Sequence, residues 1–227
     1  EVAPGKSYAD DRGHGTHVAG IIAALDNSTG VVGVAPAAEL YAVKVLDKNG
    51  TAWISDIIAG LSWATSRGIR VVNMSFGSPE DSPLVHDAIS RAYAAGVIVV
   101  ASAGNEGPAS NSVHYPAAYP EVLAVSAIDR SGHLASWSSR GPQVAVTAPG
   151  ADIYSTYTGG GYSTLSGTSM AAPHVTGAVA LRLQQHPGES PREVAAALKG
   201  TADRLPRLTS DEQGAGLVDA RGLVTRR

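Results

Sequence analysis

Three residues of this chain have side chains suited to acyl transfer, and each lies in a segment rich in glycine and small residues. His14 occurs in "RGHGTHVAG", Asn105 in "ASAGNEG" and Ser169 in "SGTSMAAPHV". A serine hydroxyl can attack a carbonyl carbon when a histidine accepts its proton, and an amide N–H can stabilise the oxyanion that results. The three segments together favour nucleophilic hydrolysis as a hypothesis.

Each of these residues also has a simpler interpretation. Ser169 or Thr168 could merely cap a helix, and Asn105 could serve a turn. His14 and His17 are spaced as a metal-binding pair on one helix face, but no third ligand follows at helical spacing. A histidine at a helix N-terminus has its pKa lowered by the helix dipole, which favours the neutral base. We therefore assign the chemistry to His14 and a packing role to His17.

The composition limits the classes of protein to which the chain can belong. Its 227 residues are 44% hydrophobic and 16% charged, which is typical of a globular domain. A net charge of −3 provides no basic surface for nucleic acid, and no apolar run is long enough to span a membrane. The absence of cysteine excludes disulfides and thiolate chemistry. Glu1 opens a polar stretch without a signal peptide, so we expect the chain to begin inside a longer protein or after processing.

Strand and helix patterns alternate along the first 130 residues. Short segments rich in valine and isoleucine predict strands at Glu39–Leu46, Arg70–Ser75, Gly96–Ala103 and Glu121–Ile128. Helical patterns lie between the first three of these, which predicts right-handed crossovers and a parallel sheet. Ligands of such sheets bind outside the carboxyl ends of the strands.

The second half of the chain has shorter strands and glycine-rich loops after Pro142. A long helix is predicted from about Thr168 to Gln185, and a last helix begins at Pro191, a residue favoured in a first helical turn. Ser169 would then lie at the start of the long helix, where free N–H groups and a partial positive charge favour an oxyanion.

The three segments resemble the histidine, asparagine and serine blocks of the subtilisin-like serine proteases, and they occur in the same order. The similarity continues through "GVVGVAPAAELYAVKVL", "VVNMSFG" and "AVTAPGADIYSTY". The resemblance implies a three-layer α/β/α sandwich with a mostly parallel central sheet that lacks its N-terminal strand or strands. It also implies a single peptidase domain over residues 1–227, secreted to the extracellular space and monomeric.

By this resemblance His14 is the general base, Ser169 is the nucleophile, and Asn105 forms the oxyanion hole together with the Ser169 backbone N–H. Polypeptide substrates would pair as an extended strand with two chain segments, which gives broad specificity, and a propeptide or protein inhibitor could bind the same way. The residues implied in substrate binding are Ser75, Phe76, Gly77, Gly50, Thr51, Ala52, Ile54, Ala103, Gly104, Glu106 and His114. Among these, Ile54 resembles the wall of an outer apolar pocket, while Glu106 and His114 lie near the pocket for the residue before the cleaved bond.

One catalytic motif of the family is absent. The family's third catalytic residue is an aspartate in a "D-(T/S)-G" motif upstream of the histidine, and no such motif precedes His14. Asp10 and Asp11 lie in the loop before His14, and we assign neither of them to the triad. Three explanations account for the absent motif: the N-terminus is truncated, a separate segment that carries the motif associates with this chain, or the protein is a natural non-catalytic relative. We favour truncation. The alternative to an active protease is an impaired fragment or a peptide-binding relative without chemistry.

The segment Leu25–Val34 resembles the family's calcium loop. Asn27, with the backbone carbonyls of Leu25, Thr29 and Val31, would supply part of the oxygen shell that calcium requires. An ordinary turn after a helix explains the same residues. A second, weaker cation site resembles carbonyls within Pro116–Val122, where the bond before Pro116 is expected to be cis. No organic cofactor is implied.

Overall fold

The computed structural model describes residues 7–225 and has a four-stranded parallel sheet at its centre. Its strands are β1 (Val71–Met74), β2 (Ile98–Ser102), β3 (Val122–Ile128) and β4 (Val144–Pro149), which lie side by side in chain order. β2 and β3 are buried at every position, as expected for strands covered on both faces. A separate antiparallel pair, β5 (Ile153–Tyr157) and β6 (Gly161–Leu165), follows β4.

Helices cover both faces of the sheet. The helices are α1 (His14–Ala23), α2 (Ile54–Ser66), α3 (Pro83–Ala94), α4 (Thr168–Gln185), α5 (Pro191–Thr201), α6 (Ser210–Gln213) and α7 (Ala220–Thr225). Residues of β2 alternate between two cores: Ile98 and Val100 pack towards α4, whereas Val99 and Ala101 pack towards α2 and α3. This three-layer arrangement confirms the fold class expected from the sequence. Within residues 7–225 no helix is both long and apolar enough to cross a membrane.

Two sequence-based predictions of elements are wrong. The segment Glu39–Leu46 is not a strand; apart from a bridge between Leu46 and Ala52, it pairs with none of the described residues. Its valines instead pack on α2, where Val43 and Val45 lie against Gly60, and this packing accounts for its apolar pattern. The helix at Pro191 is also not the last, because the short α6 and α7 follow it.

The β5–β6 hairpin holds the helix that begins with His14. The hydroxyls of Ser155 and Thr156 donate to the backbone carbonyls of His17 and Thr16 at 2.9 Å. Gly20 permits this approach, because a Cβ there would lie 2.1 Å from the Thr156 hydroxyl oxygen. α1 is thus fixed to the hairpin along one side.

His17 has the packing role predicted for it. Its side chain is fully buried, and its Nε2 lies 3.0 Å from the carbonyl oxygen of Ile153 and 3.1 Å from that of Ser163. The ring therefore joins α1 to both strands of the hairpin. Within residues 7–225 there is no group of three or more histidine, aspartate or glutamate side chains placed to hold a metal ion.

Candidate active site

The candidate residues lie where strands end and helices begin. Asn105 follows β2, His14 is the first residue of α1, and Ser169 is the second residue of α4. α1 packs on α4 through a cluster that includes Val18 and Met170, one turn after His14 and one residue after Ser169. The N-termini of the two helices therefore lie at the same end of the molecule.

The side-chain orientation of Asn105 is fixed by the start of α4. Its Oδ1 accepts hydrogen bonds of 3.0 Å from the backbone N–H and from the hydroxyl of Thr168. With Oδ1 occupied, the Nδ2 donor points to the other side. Nδ2 and the backbone nitrogen of Ser169 each lie 3.7 Å from the point that a Cβ on Gly167 would occupy. Two nitrogen atoms that carry N–H donors therefore lie next to one space that glycine leaves open.

Ser169 does not cap its own helix. The N-cap of α4 is Gly167, which has no side chain that could cap the helix, and the first N–H of α4 is bonded by Asn105 instead. The Ser169 hydroxyl instead donates to the backbone carbonyl of Ser75 at 3.2 Å, while the Ser75 hydroxyl donates to the Ser169 carbonyl at 2.8 Å. The simple capping interpretation of Ser169 is thereby excluded.

The environment of His14 favours the neutral imidazole. Burial lowers the pKa of His14 below its usual value, and the charges of His17 and Arg12 lower it further, although the nearby Asp10 carboxylate opposes them. The lowered pKa of His14 has the direction predicted from the sequence, with burial as its largest cause. A neutral ring at physiological pH is the form that can accept a proton.

Asp10 and Asp11 are both occupied by structural partners. Oδ1 of Asp10 accepts from the backbone N–H groups of Arg12 and Gly13 at 2.9 Å, and its Oδ2 accepts from the N–H and hydroxyl of Thr16 at 2.7 Å. Asp10 thus accepts hydrogen bonds from backbone N–H groups at the start of α1, which have no carbonyl partner within the helix. Asp11 forms an ion pair with Lys44.

Two chain segments lie close to the start of α4, and His114 lies between them. Ser75–Gly77 follows β1, and Ala103–Gly104 follows β2. The backbone N–H of His114 donates to the Ala103 carbonyl at 2.8 Å. A Cβ on Gly104 would lie 2.9 Å from the His114 ring, and one on Gly77 would lie 3.1 Å from the His114 Cβ. The His114 ring therefore occupies space that Gly104 leaves free, and its Cβ lies against Gly77.

The remaining predicted substrate residues lie on more exposed loops. Gly50 turns with a positive φ of 81° and lies beside the Arg12 guanidinium, two residues before His14. Thr51 is exposed, and Ala52 forms the bridge to Leu46. Ile54, at the start of α2, is 45% exposed, an unusual exposure for isoleucine that suits an apolar pocket wall. Glu106 is exposed, and its backbone N–H donates to Ser139 at 3.0 Å.

Comparison with known proteins places the chain in a family. The model of the subtilase family, peptidase family S8, matches residues 1–216. The chain belongs to the subtilase family. It is 49% identical to subtilisin DY of Bacillus licheniformis over 218 residues, which are 95% of this chain and 79% of that protein. It is 49% identical to subtilisin BL of Lederbergia lenta, with 96% and 80% covered.

A third relative is longer. The thermostable alkaline protease of Halalkalibacterium halodurans is 47% identical over 216 residues, and the match covers 94% of this chain but only 58% of that protein. The family and these relatives confirm the resemblance seen in the sequence and support a subtilisin-type serine endopeptidase.

Subtilases commonly bind calcium, but the loop proposed for it here is built differently from a carboxylate site. It follows α1 and is exposed from Leu25 to Gly30. Oδ1 of Asn27 already accepts from the N–H and hydroxyl of Thr29, at 2.9 and 3.0 Å. The loop therefore fits calcium only in part. Its candidate ligands are neutral oxygens, and the hydrogen bonds from Thr29 must break before Asn27 Oδ1 can bind the ion. The expected cis bond between Tyr115 and Pro116 is present.

Two residues that contact the candidate site residues or their neighbours were not found from the sequence. Thr168 was considered only as a cap, yet it orients Asn105. Tyr157 donates from its hydroxyl to the Arg12 carbonyl at 2.6 Å, and its ring covers Gly13 immediately before His14. Neither contact has a local sequence pattern, because each joins segments more than 60 residues apart.

The hydrogen bonds to Asp10 predict a pH-dependent contribution to stability. Partial burial alone would raise the pKa of Asp10, but the bonds from Arg12, Thr16 and Gly13 outweigh it and lower the pKa from 3.8 to about 2. The carboxylate thus stabilises the folded state above about pH 4, and this contribution disappears as the pH falls through about 2. Asp10→Asn should lower the free energy of unfolding by about 1–2 kcal/mol near pH 6 and have little effect below pH 2.

Urea unfolding in a Ser169→Ala background, which prevents self-digestion, measures this effect. Asp11→Asn is the matched control, and we expect it to change the free energy by less than about 0.5 kcal/mol because Asp11 is a surface ion-pair partner. Two results would contradict the stabilising role assigned to the Asp10 carboxylate. One is an equal loss of unfolding free energy in Asp10→Asn and Asp11→Asn. The other is a loss in Asp10→Asn that is the same at pH 2 and at pH 6.

Proposed function

We propose that this chain is the peptidase domain of a secreted, monomeric subtilisin-type endopeptidase of broad specificity that cleaves peptide bonds through Ser169, His14 and Asn105. The observation that carries the proposal is that Asn105 Nδ2 and the Ser169 backbone nitrogen both lie 3.7 Å from one point in the open space beside Gly167. An oxyanion that forms there would receive two hydrogen bonds next to the nucleophile. Residues 1–227 form one domain in this proposal.

The proposed reaction has two halves. In the first, the Ser169 Oγ attacks the peptide carbonyl, His14 accepts the hydroxyl proton, and the carbonyl oxygen becomes an oxyanion held by Asn105 and the Ser169 N–H. His14 then gives the proton to the departing amine, which leaves an acyl group on Ser169. In the second half, water attacks this ester and gives a proton to His14. The bond between the acyl carbon and Ser169 Oγ then breaks, His14 returns the proton to Oγ, and the acid product is released.

The substrate would bind as an extended strand. Ser75–Gly77 and Gly50–Ala52 present backbone groups to it, and main-chain pairing of this kind tolerates many sequences. Ile54 would border an outer pocket, and His114 with Glu106 would border the pocket for the residue before the cleaved bond. A propeptide or protein inhibitor would use the same segments.

The acid that orients His14 is proposed to come from outside residues 7–225. Asp10 and Asp11 are occupied by α1 and Lys44. Among the described residues β1 pairs on one edge only, with β2, so its other edge is open to a further strand. Loss of the orienting acid lowers turnover by about 10⁴-fold in serine proteases, while the oxyanion hole still supports slow reaction.

Calcium is proposed as a structural ion only. Leu25, Thr29 and Val31 would contribute backbone carbonyls and Asn27 its side chain, and the ion would fix the loop after α1. It takes no part in the chemical steps.

Reaction with a fluorophosphonate tests the proposed nucleophile without requiring full turnover. The reagent should phosphonylate Ser169 with loss of fluoride, and peptide mapping should find the adduct on that serine. Ser169→Ala should abolish the reaction, and Asn105→Ala should slow it by about 10²-fold because one oxyanion donor is removed. Labelling that survives Ser169→Ala, or an unchanged rate in Asn105→Ala, would refute the assigned roles.

A peptide-binding relative without chemistry is the second candidate, and the favouring observation is the position of the Ser169 hydroxyl, which bonds to Ser75. This candidate predicts that a propeptide-like peptide binds while no adduct forms at Ser169. The same experiment therefore separates the two functions.

The position of His114 predicts a preference for small side chains before the cleaved bond. Peptidyl phosphonates with an alanine-like or a phenylalanine-like side chain at that position inactivate Ser169 at rates that report the pocket. His114→Gly should raise the phenylalanine-to-alanine rate ratio by about 10-fold or more, because removal of the imidazole makes room for the larger side chain. Each methylene group that a hydrophobic pocket accommodates is worth about 1–3 kcal/mol. The exposed His133→Gly serves as the control. An unchanged ratio in His114→Gly would show that the imidazole does not limit the pocket.

A further inference from the structure

Helix α4 contains a proline at a position that affects the nucleophile directly. Pro173 lies inside α4, and proline has no backbone N–H. The carbonyl four residues earlier, which the missing N–H would have bonded, is that of Ser169. The helix therefore leaves the nucleophile's own carbonyl without its usual donor.

The Ser75 side chain supplies the missing donor. Its hydroxyl donates to the Ser169 carbonyl at 2.8 Å, and Ser75 is only 6% exposed. A buried carbonyl without a partner costs about 1–3 kcal/mol, so this bond replaces a contact that the helix cannot make. The hydrogen bond crosses from the segment after β1 to the first turn of α4.

The Ser75 hydroxyl is itself held in place. It accepts from Asn73 Nδ2 at 2.8 Å, and Asn73 Oδ1 accepts from the hydroxyl of Thr176 at 2.9 Å. Thr176 lies two turns further along α4 and is 5% exposed. A chain of hydrogen bonds thus runs from α4 to β1 and back to α4, and it ends on the nucleophile.

We infer that Ser75 is a positioning residue for the nucleophile: its side chain sets the position of the Ser169 backbone at the carbonyl that Pro173 leaves free. This inference rests on the proposed function. The backbone of Ser75–Gly77 belongs to the proposed substrate strand, so the same residue fixes the distance between that strand and the reacting hydroxyl. A displacement of about 1 Å at such a site can lower the rate by about 10²-fold.

Rates of phosphonylation by a small fluorophosphonate separate positioning from substrate binding, because the reagent is too small to pair with residues 75–77. Ser75→Ala should lower the bimolecular rate by about 10-fold. Pro173→Ala restores an N–H opposite the Ser169 carbonyl, so in that background Ser75→Ala should lower the rate by less than about 3-fold. Ser78→Ala removes an exposed hydroxyl three residues further along the chain and serves as the matched control; among residues 7–225 this hydroxyl bonds only to the Glu80 N–H.

The outcomes are distinguishable from those that test the proposed function. A wild-type chain that does not react at all overturns both inferences. Two results with a reactive wild-type chain overturn only the positioning role. One is a Ser75→Ala variant that reacts as fast as the wild type. The other is a Ser75→Ala substitution that lowers the phosphonylation rate by the same factor in the Pro173→Ala background as in the wild type. If Ser75→Ala does not fold, Ser75→Cys keeps the approximate volume with a weak donor and should also be slower. A Ser75→Cys rate equal to the wild-type rate would then contradict the inference.

Discussion

The packing of α4 against the parallel sheet is the interaction on which the rest of the structure depends. α4 buries most of its length, including Val175 and Val179, in the core that it shares with β2, β3 and β4. Small residues at Ala171 and Ala172 let the helix approach closely, and Gly177 accommodates Val34 from the segment after α1. A helix held in this way cannot shift its first turn without disturbing the core, so the position of Ser169 is set by apolar packing.

Polar contacts further fix the positions of the candidate site residues, which the apolar packing of the helices determines in outline. Asn105 is oriented by Thr168, and the Ser169 carbonyl is bonded by Ser75. α1 is held separately, by Tyr157 at its start and by the hairpin hydroxyls along one side. His14 and Ser169 therefore belong to two rigid units that meet through the cluster containing Val18 and Met170. Reactive groups held on rigid elements need little reorganisation when charge develops in a transition state.

Much of this could be predicted from the sequence, for identifiable physical reasons. β2 and β3 can be predicted because strands buried on both faces form continuous apolar runs, and α2 and α3 because helical patterns separate the predicted strands. The positions of His14, Asn105 and Ser169 followed from long motifs in a fixed order. The segment Glu39–Leu46 was predicted wrongly because a strand pattern reports burial against α2 as well as pairing in a sheet. The Ser75–Ser169 bond lay beyond sequence reasoning, since it joins residues 94 positions apart.

The structure of the chain after reaction with a peptidyl phosphonate would test the central claim most directly. The account predicts a bond between phosphorus and Ser169 Oγ, with one phosphonyl oxygen within about 3.1 Å of both Asn105 Nδ2 and the Ser169 backbone nitrogen. The peptide should lie extended along Ser75–Gly77, with its side chain next to the phosphorus directed at His114. An adduct on another residue, or a phosphonyl oxygen that contacts neither donor, would contradict the account.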